Sequence, residues 1–342
     1  MKLTVLADNN TYIDEYYYGE PGVCYYIEDG GKHILFDLGY SDIFLRNVEK
    51  MKIDLRQADT VVFSHGHNDH TGGLRPLLKY LHPTFSERRP GTGRAVRLAA
   101  HPDCFPEKRY DGNSIGMDIS ADELKEYFEL CISREPVRIS ENIWFLGEIP
   151  KIHAFEKRLA IGEHFVPDGR RSGGNAGLEK EMKNGEGASV GKNAKYGENA
   201  GYGQRIEDSE SALTGRDAAF KEVRAGNEEK SGVWEADFCL EDSALVYKNG
   251  KRLFVITGCS HSGICNIVSY AERVFEGCSV RGILGGFHLF ETDERTRKTV
   301  EFLREKELEE LMPCHCVSLT VKCEMSRVMP VKEVGVGMCL EM

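Results

Sequence analysis

Apolar residues along this chain gather into short runs cut by glycine, asparagine and aspartate, a pattern of many short strands and medium helices. Met1 to Ala7 predicts a first strand, cut off by Asp8-Asn9-Asn10. Cys24 to Glu28 and Lys32 to Asp37 flank Asp29-Gly30-Gly31, a hairpin signal. Leu45 to Met51 suits a short helix, Thr60 to Phe63 a buried β-branched strand, and Leu74 to Leu81 another helix. Ala95 to Ala100 reads as a strand ending at His101-Pro102, followed by a helix over Ala121 to Cys131 and an apolar run, Ile143 to Leu146.

The second half repeats the theme. Ser243 to Tyr247 and Leu253 to Thr257 flank Lys248-Asn249-Gly250-Lys251, a second hairpin. A helix over Ile264 to Phe275 follows, then a strand from Val280 to Leu284, a helix from Asp293 to Lys306, and Glu309 to Met312 leading into Pro313. Strands followed by helices, twice over, imply an α/β fold of two similar halves packed sheet against sheet with helices outside.

Between the halves the composition changes. From about 168 to 232 there are thirteen glycines, many Glu, Lys, Asn and Ser, and almost no large aliphatics. Such a stretch cannot bury a core face, so it reads as a flexible insertion, a disordered loop in preference to a folded lid. Residues 1–342 read as a single domain that this insertion interrupts.

Charge and composition narrow the functional classes. Hydrophobic residues make up 41% and charged residues 29%, ordinary globular values, and the net charge is −11. An acidic chain without a Lys/Arg block carries no nucleic-acid footprint. No apolar run reaches membrane-spanning length, and no signal peptide is visible, so no membrane partner is expected and a cytoplasmic location is. The eleven cysteines are odd in number and scattered, as expected of reduced thiols. Cys314-His315-Cys316 is tighter than a zinc knuckle and lacks a partner pair.

The candidate chemistry sits at Ser64-His65-Gly66-His67-Asn68-Asp69-His70, directly after the Thr60 to Phe63 strand and before Thr71-Gly72-Gly73. A strand that ends in a tight turn can aim clustered imidazoles and a carboxylate at one point, as a metal centre requires. The bland alternative is a polar loop rich in histidine, but a pattern of this kind arises by chance in only roughly one such chain in a thousand.

The residues now carry a resemblance. His65 to His70 resembles the signature of the metallo-β-lactamase superfamily, and Leu6 to Asn9, Leu35 to Gly39, Ser64 to Gly73, His101-Pro102, Gly147 to Pro150, Thr257 to Ile264, Gly285 to Leu289 and Pro313 to Cys316, in that order, narrow the resemblance further. Within it the match is to the subgroup named for dihydropterin–ribofuranosylaminobenzene phosphate synthase. The resemblance implies an αββα four-layer sandwich with one or two metals at one edge. Two departures stand out: Cys259 follows Gly258 where the superfamily usually has a bridging aspartate, and the long insertion is not part of the common pattern.

Against that pattern His65 and His67 fall to a first metal, and Asp69 and His70 to a second. His261 and His315 would supply the distal ligands. The ions are two divalent metals, with zinc favoured by the oxygen and imidazole donors and iron or manganese admitted. Cys259 either ligates as a thiolate or is a small buried residue beside the site. Asp37 would orient a metal histidine from behind, and His101 would do the same or line the substrate wall. Asp69 and His288 are the candidate catalytic groups, whereas His33, His82, His153 and His164 read as surface or packing residues. The function so implied is metal-dependent hydrolase or synthase-like chemistry on a phosphorylated or pterin-like small molecule. The alternatives are a di-iron redox protein of the same fold and a non-catalytic metal-binding protein. The oligomeric state is left open.

Overall fold

The computed structural model describes residues 1–82, 96–168 and 231–342. They fall into two compact units, Met1–Phe165 with Glu235–Met342, and Val166–Trp234. Nearly all of the insertion expected at about 168–232 lies outside the described residues.

Seventeen strands are described: β1 (Lys2–Ala7), β2 (Cys24–Asp29), β3 (Lys32–Phe36), β4 (Thr60–Val62), β5 (Val96–Ala100), β6 (Lys108–Tyr110), β7 (Asn113–Ser114), β8 (Phe128–Ile132), β9 (Val137–Arg138), β10 (Ile143–Phe145), β11 (Glu163–Pro167), β12 (Gly232–Ala236), β13 (Ala244–Asn249), β14 (Arg252–Thr257), β15 (Ser279–Gly285), β16 (Glu310–Pro313) and β17 (Cys339–Glu341). The described α-helices are α1 (Ile43–Met51), α2 (Asn68–Thr71), α3 (Leu74–Leu81), α4 (Ala121–Leu124), α5 (Ile264–Val274), α6 (Glu294–Glu305) and α7 (Leu319–Ser326). Among the described residues no helix is long and apolar enough to cross a membrane.

The first main sheet runs β17-β1-β2-β3-β4-β5-β8 and the second β16-β15-β14-β13-β10-β9. Both central strand sets are buried on two faces, and their alternation divides the core into three layers. Tyr25, Ile27, Ile34, Phe36 and Val62 point into a core shared with Leu245, Phe254, Ile256, Leu284 and Met312 of the other sheet. The intervening Tyr26, Leu35 and Val61 face outward onto Phe44, Val48, Leu74, Leu77 and Leu78 of α1 and α3. Val246, Val255 and Ile283 do the same against Ile264, Ile267, Val268 and Ala271 of α5. Each such fully buried side chain is worth about 1.5–3 kcal/mol of transfer free energy. The result is the αββα four-layer sandwich that the sequence implies.

Both expected hairpins form, with Asp29 paired to Lys32 and Asn249 to Arg252. Asp293 caps α6 by accepting the Thr296 N–H at 2.8 Å, fixing its start where the sequence placed it. One of the expected elements takes a different form. The helix over Ala121 to Cys131 ends after one turn at Leu124, and Phe128–Ile132 becomes edge strand β8, parallel to β5. Residues 128–132 gain more from pairing with the open edge of the first sheet than from continuing a helix with only one buried leucine.

Candidate metal centre

The strands that matter most are parallel, so their carboxyl ends emerge at one rim. In the first sheet β3, β4 and β5 run parallel, and they release Asp37, the Ser64 to His70 loop and His101. In the second sheet β14, β15 and β16 run parallel, and they release Cys259 and His261, then His288, then His315. Packing the sheets face to face brings these loops together. Gly258 has to be glycine: a Cβ there would land on Ser64 Oγ and Asp37 Oδ2 of the opposite sheet. Gly66 likewise lies against the Cys104 carbonyl and Lys108.

Two groups of side chains converge closely enough to hold a metal ion each, His65 with His67 and His261, and Asp69 with His70, Cys259 and His315. His65 Nε2 is 3.1 Å from His67 Nδ1. Cys259 Sγ lies 3.2 Å from both His70 Nε2 and His315 Nε2. Asp69 Oδ2 lies 3.5 Å from His70 Nε2 and 3.4 Å from His315 Nε2. A third group, Cys259, His261 and His288, overlaps both.

The outer atoms of these ligand candidates are pinned. Asp37, fully buried, accepts the Ser64 N–H and hydroxyl through its two oxygens and meets His70 Nδ1 at 2.7 Å. His315 Nδ1 is 3.0 Å from Asn9 Oδ1, and its backbone N–H donates to Asp8 Oδ2. His288 and His315 both sit in the left-handed backbone region, at φ 49° and 50°, a costly conformation for non-glycine residues that clusters at functional sites.

Electrostatics separate the two groups. Burial, aided by the neighbouring His70 and His67, drives His65 well below the ordinary imidazole range. Burial, with Lys108 adding to it, takes His67 down to about 4. His261 is depressed in the same way, by burial and then by His288. Three neutral imidazoles present lone pairs, as metal ligands must. In the second group burial also opposes charge on His315, but its contacts with Asp69 and Cys316 win and raise it to about 9. Burial and the nearby Cys316 push the Cys259 thiol up, so a cation there has to displace a proton.

The donor set therefore fits a pair of metal ions, and the orphaned atoms support the fit. Both ring nitrogens of His261 and Nδ1 of His288 are buried without a hydrogen-bond partner. Such groups are costly to bury unless something binds them.

Of the expected site residues, His65, His67, Asp69, His70, Cys259, His261 and His315 all meet in these groups, with His288 at their margin and Asp37 behind His70. His101 stands apart from the ligand groups among the described residues. Its Nε2 lies 3.1 Å from Arg134 and 3.3 Å from Glu148, and its Nδ1 accepts the Asp103 N–H. Cys314 turns into the inter-sheet core, where its sulfur meets Tyr25 Oη at 3.2 Å. His33, His82 and His153 pack elsewhere, against Tyr26, Tyr127 and Phe302 respectively.

A buried group beside the site went unread in the sequence. Lys108 Nζ lies 2.6 Å from Asp237 Oδ2 and 2.8 Å from Glu241 Oε1, and all three side chains are nearly inaccessible. Asp242 of the same segment accepts the Ser262 N–H beside His261, while the Ser243 N–H donates to the Ser64 carbonyl. The 237–243 segment thereby ties one ligand loop to the other. His164 Nδ1 borders it, 3.8 Å from Asp237 Oδ1.

The chain is similar to several known proteins. Residues 17–84 match the family model of the metallo-β-lactamase superfamily. An uncharacterized protein of Methanocaldococcus jannaschii is 26% identical over 95% of this chain and 94% of its own length. The 7,8-dihydropterin-6-methyl-4-(β-D-ribofuranosyl)-aminobenzene-5'-phosphate synthase of the same organism is 24% identical over 92% of this chain and 87% of its own. The crystal structure of Tm1679, a metal-dependent hydrolase of the β-lactamase superfamily, aligns with a TM-score of 0.67 at 23% identity, covering 100% of this chain and 99% of that one.

Proposed function

We propose that this chain, whose fold is that of the metallo-β-lactamase superfamily, is an enzyme with a dinuclear metal centre that acts on a phosphorylated or pterin-like small molecule. His65, His67 and His261 would hold the first ion, and Asp69, His70, Cys259 and His315 the second. The observation that carries this reading is His261. Its two buried ring nitrogens lack partners, and it completes a trio with His65 and His67 drawn from the other sheet.

When bound, a divalent pair supplies Lewis acidity, which stabilises charge on a phosphate or an oxyanion and lowers the pKa of water. The donors suit zinc, and a thiol among them also suits iron. The chain's own residues set the stage for that chemistry. Asp37 and Asn9 fix the rings of His70 and His315. Asp69, with about a third of its side chain exposed, reaches the solvent side, where substrate must arrive. His288, its ring tilted against that of His261 with centroids 4.4 Å apart and its Nδ1 without a partner, is the group we assign to a hydrogen bond or proton transfer at the substrate.

The same site would serve hydrolysis or a synthase-type displacement in which an aniline-like carbon or nitrogen nucleophile replaces a pyrophosphate leaving group, and the relative named as a 7,8-dihydropterin-6-methyl-4-(β-D-ribofuranosyl)-aminobenzene-5'-phosphate synthase supports the second use. The net charge of −11 argues for a small molecule over a nucleic acid.

Elemental analysis of the purified protein beside His315→Ala tests the reading. Two zinc or manganese ions per chain, falling in the variant, support it and justify a phosphoester and pterin screen. Iron moves the redox alternative ahead. A chain that takes up no metal overturns the enzymatic reading and leaves a binding protein or a vestigial site.

A further inference from the structure

The imidazole of His67 faces two ways. Its Nδ1 meets His65 Nε2 at 3.1 Å, on the side of the first ligand trio. Its Nε2 faces away from that trio, toward Cys239 Sγ at 3.7 Å. Both side chains are buried.

His67, Asp237 and Cys239 are close enough together to suggest a third metal position. The surroundings argue against one. Asp237 Oδ2 is already engaged by the Lys108 ammonium at 2.6 Å, and Asp237 Oδ1 accepts the Cys239 N–H at 3.0 Å. A cation placed there would face a buried ammonium and find the carboxylate occupied. The arrangement is instead a brace that runs from Lys108 through Asp237 to Cys239 and on to His67. Cys239 is held in the left-handed region, at φ 48°, which aims its sulfur at the imidazole.

We propose that Cys239 is a positioning residue for His67: its sulfur accepts the outward Nε2–H and so fixes both the ring rotation and the tautomer that leave Nδ1 for a metal ion. The role rests on the reading of His67 as a ligand. Ligand histidines generally donate their second N–H to a carboxylate or a carbonyl. Here a sulfur, a softer and weaker acceptor, takes that position, with Lys108 and Asp237 behind it to hold it still.

The test uses the full chain titrated with cobalt(II), followed by its visible absorption, for wild type, Cys239→Ala and Cys239→Ser. Wild type should bind two equivalents. Cys239→Ala should lose affinity at one site by about ten-fold, with its bands shifted, and Cys239→Ser, which keeps an acceptor, should recover most of that loss. Unchanged affinity and bands in Cys239→Ala, with only a lower melting temperature, would mean that Cys239 merely packs, and would overturn the proposal. If wild type itself takes up no cobalt, the dinuclear reading falls and this proposal with it. A second measurement avoids any folding defect of the variants: nitrogen-15 spectra of the histidine rings in zinc-loaded wild type. A proton on His67 Nε2 supports the brace, and a proton on Nδ1 overturns it.

Discussion

Asp37 Oδ2 and His70 Nδ1 stand 2.7 Å apart with both side chains fully buried, and the same carboxylate grips the Ser64 N–H and hydroxyl at the mouth of the histidine loop. One residue at the end of β3 thus sets both the path of the loop and the orientation of its last imidazole. Asp37→Asn keeps the shape but puts an amide N–H against His70. Metal affinity should fall about 10–100-fold, the usual effect of losing an outer partner of a ligand histidine. Titration against a competing chelator reads this directly, and an unchanged affinity would remove Asp37 from the centre.

His261 pulls function against stability. Two buried nitrogens without partners cost about 1–3 kcal/mol each when nothing binds them. In chelated protein, His261→Leu should therefore be at least as stable as wild type in urea. With metal added, wild type should gain stability by mass action, and the variant should gain far less. Equal gains in the two proteins would show that His261 binds no ion.

Lys108 is a buried cation facing two buried carboxylates, and such pairs are fragile when one partner is removed. Lys108→Met should destabilise the chain by about 3–5 kcal/mol, because Asp237 and Glu241 are left as uncompensated charges. Adding Asp237→Asn and Glu241→Gln should restore most of the loss. Denaturant unfolding of the single and triple variants decides the point; a triple variant no better than the single would mean that the network contributes through shape and not charge.

What was legible in the sequence follows from how local each signal is. His65 to His70 gather four donors in one turn, and the parallel strands behind them do the aiming, so the loop could be read residue by residue. Asp29-Gly30-Gly31 and the turn at Gly250 declared their hairpins through the positive φ that glycine tolerates. Phe128–Ile132 was masked by the helix-favouring residues before it: Phe128, Leu130 and Ile132 alternate as in a strand, but the run is only five residues long and becomes one by pairing with the free edge of β5. The brace behind His67 was hidden for a related reason. Lys108 and Asp237 are 129 residues apart, sit in polar segments without periodicity, and reveal themselves only when folding buries them together.

The acid limb of stability has a source well away from the metal centre. Asp29, at the end of β2, is pushed toward protonation by burial, but three hydrogen bonds overrule this: Ser140 Oγ at 2.6 Å, the Asn142 N–H at 2.9 Å and Asn142 Nδ2 at 3.1 Å. Its folded pKa therefore lies below the ordinary 3.8. A carboxyl depressed in this way binds protons more readily in the unfolded chain, so its stabilising contribution is complete above the unfolded value and is lost as pH falls through the folded one. Asp29→Asn should lower stability at neutral pH by about 1–3 kcal/mol, since a charged acceptor is replaced by a neutral amide facing some of the same donors. Below pH 3.8 the gap between wild type and variant should close, because wild type then loses what the variant never had. Urea midpoints of both proteins, taken in chelator from pH 7 down to about pH 3, read the convergence. Parallel curves across that range would assign the acid limb to other carboxylates.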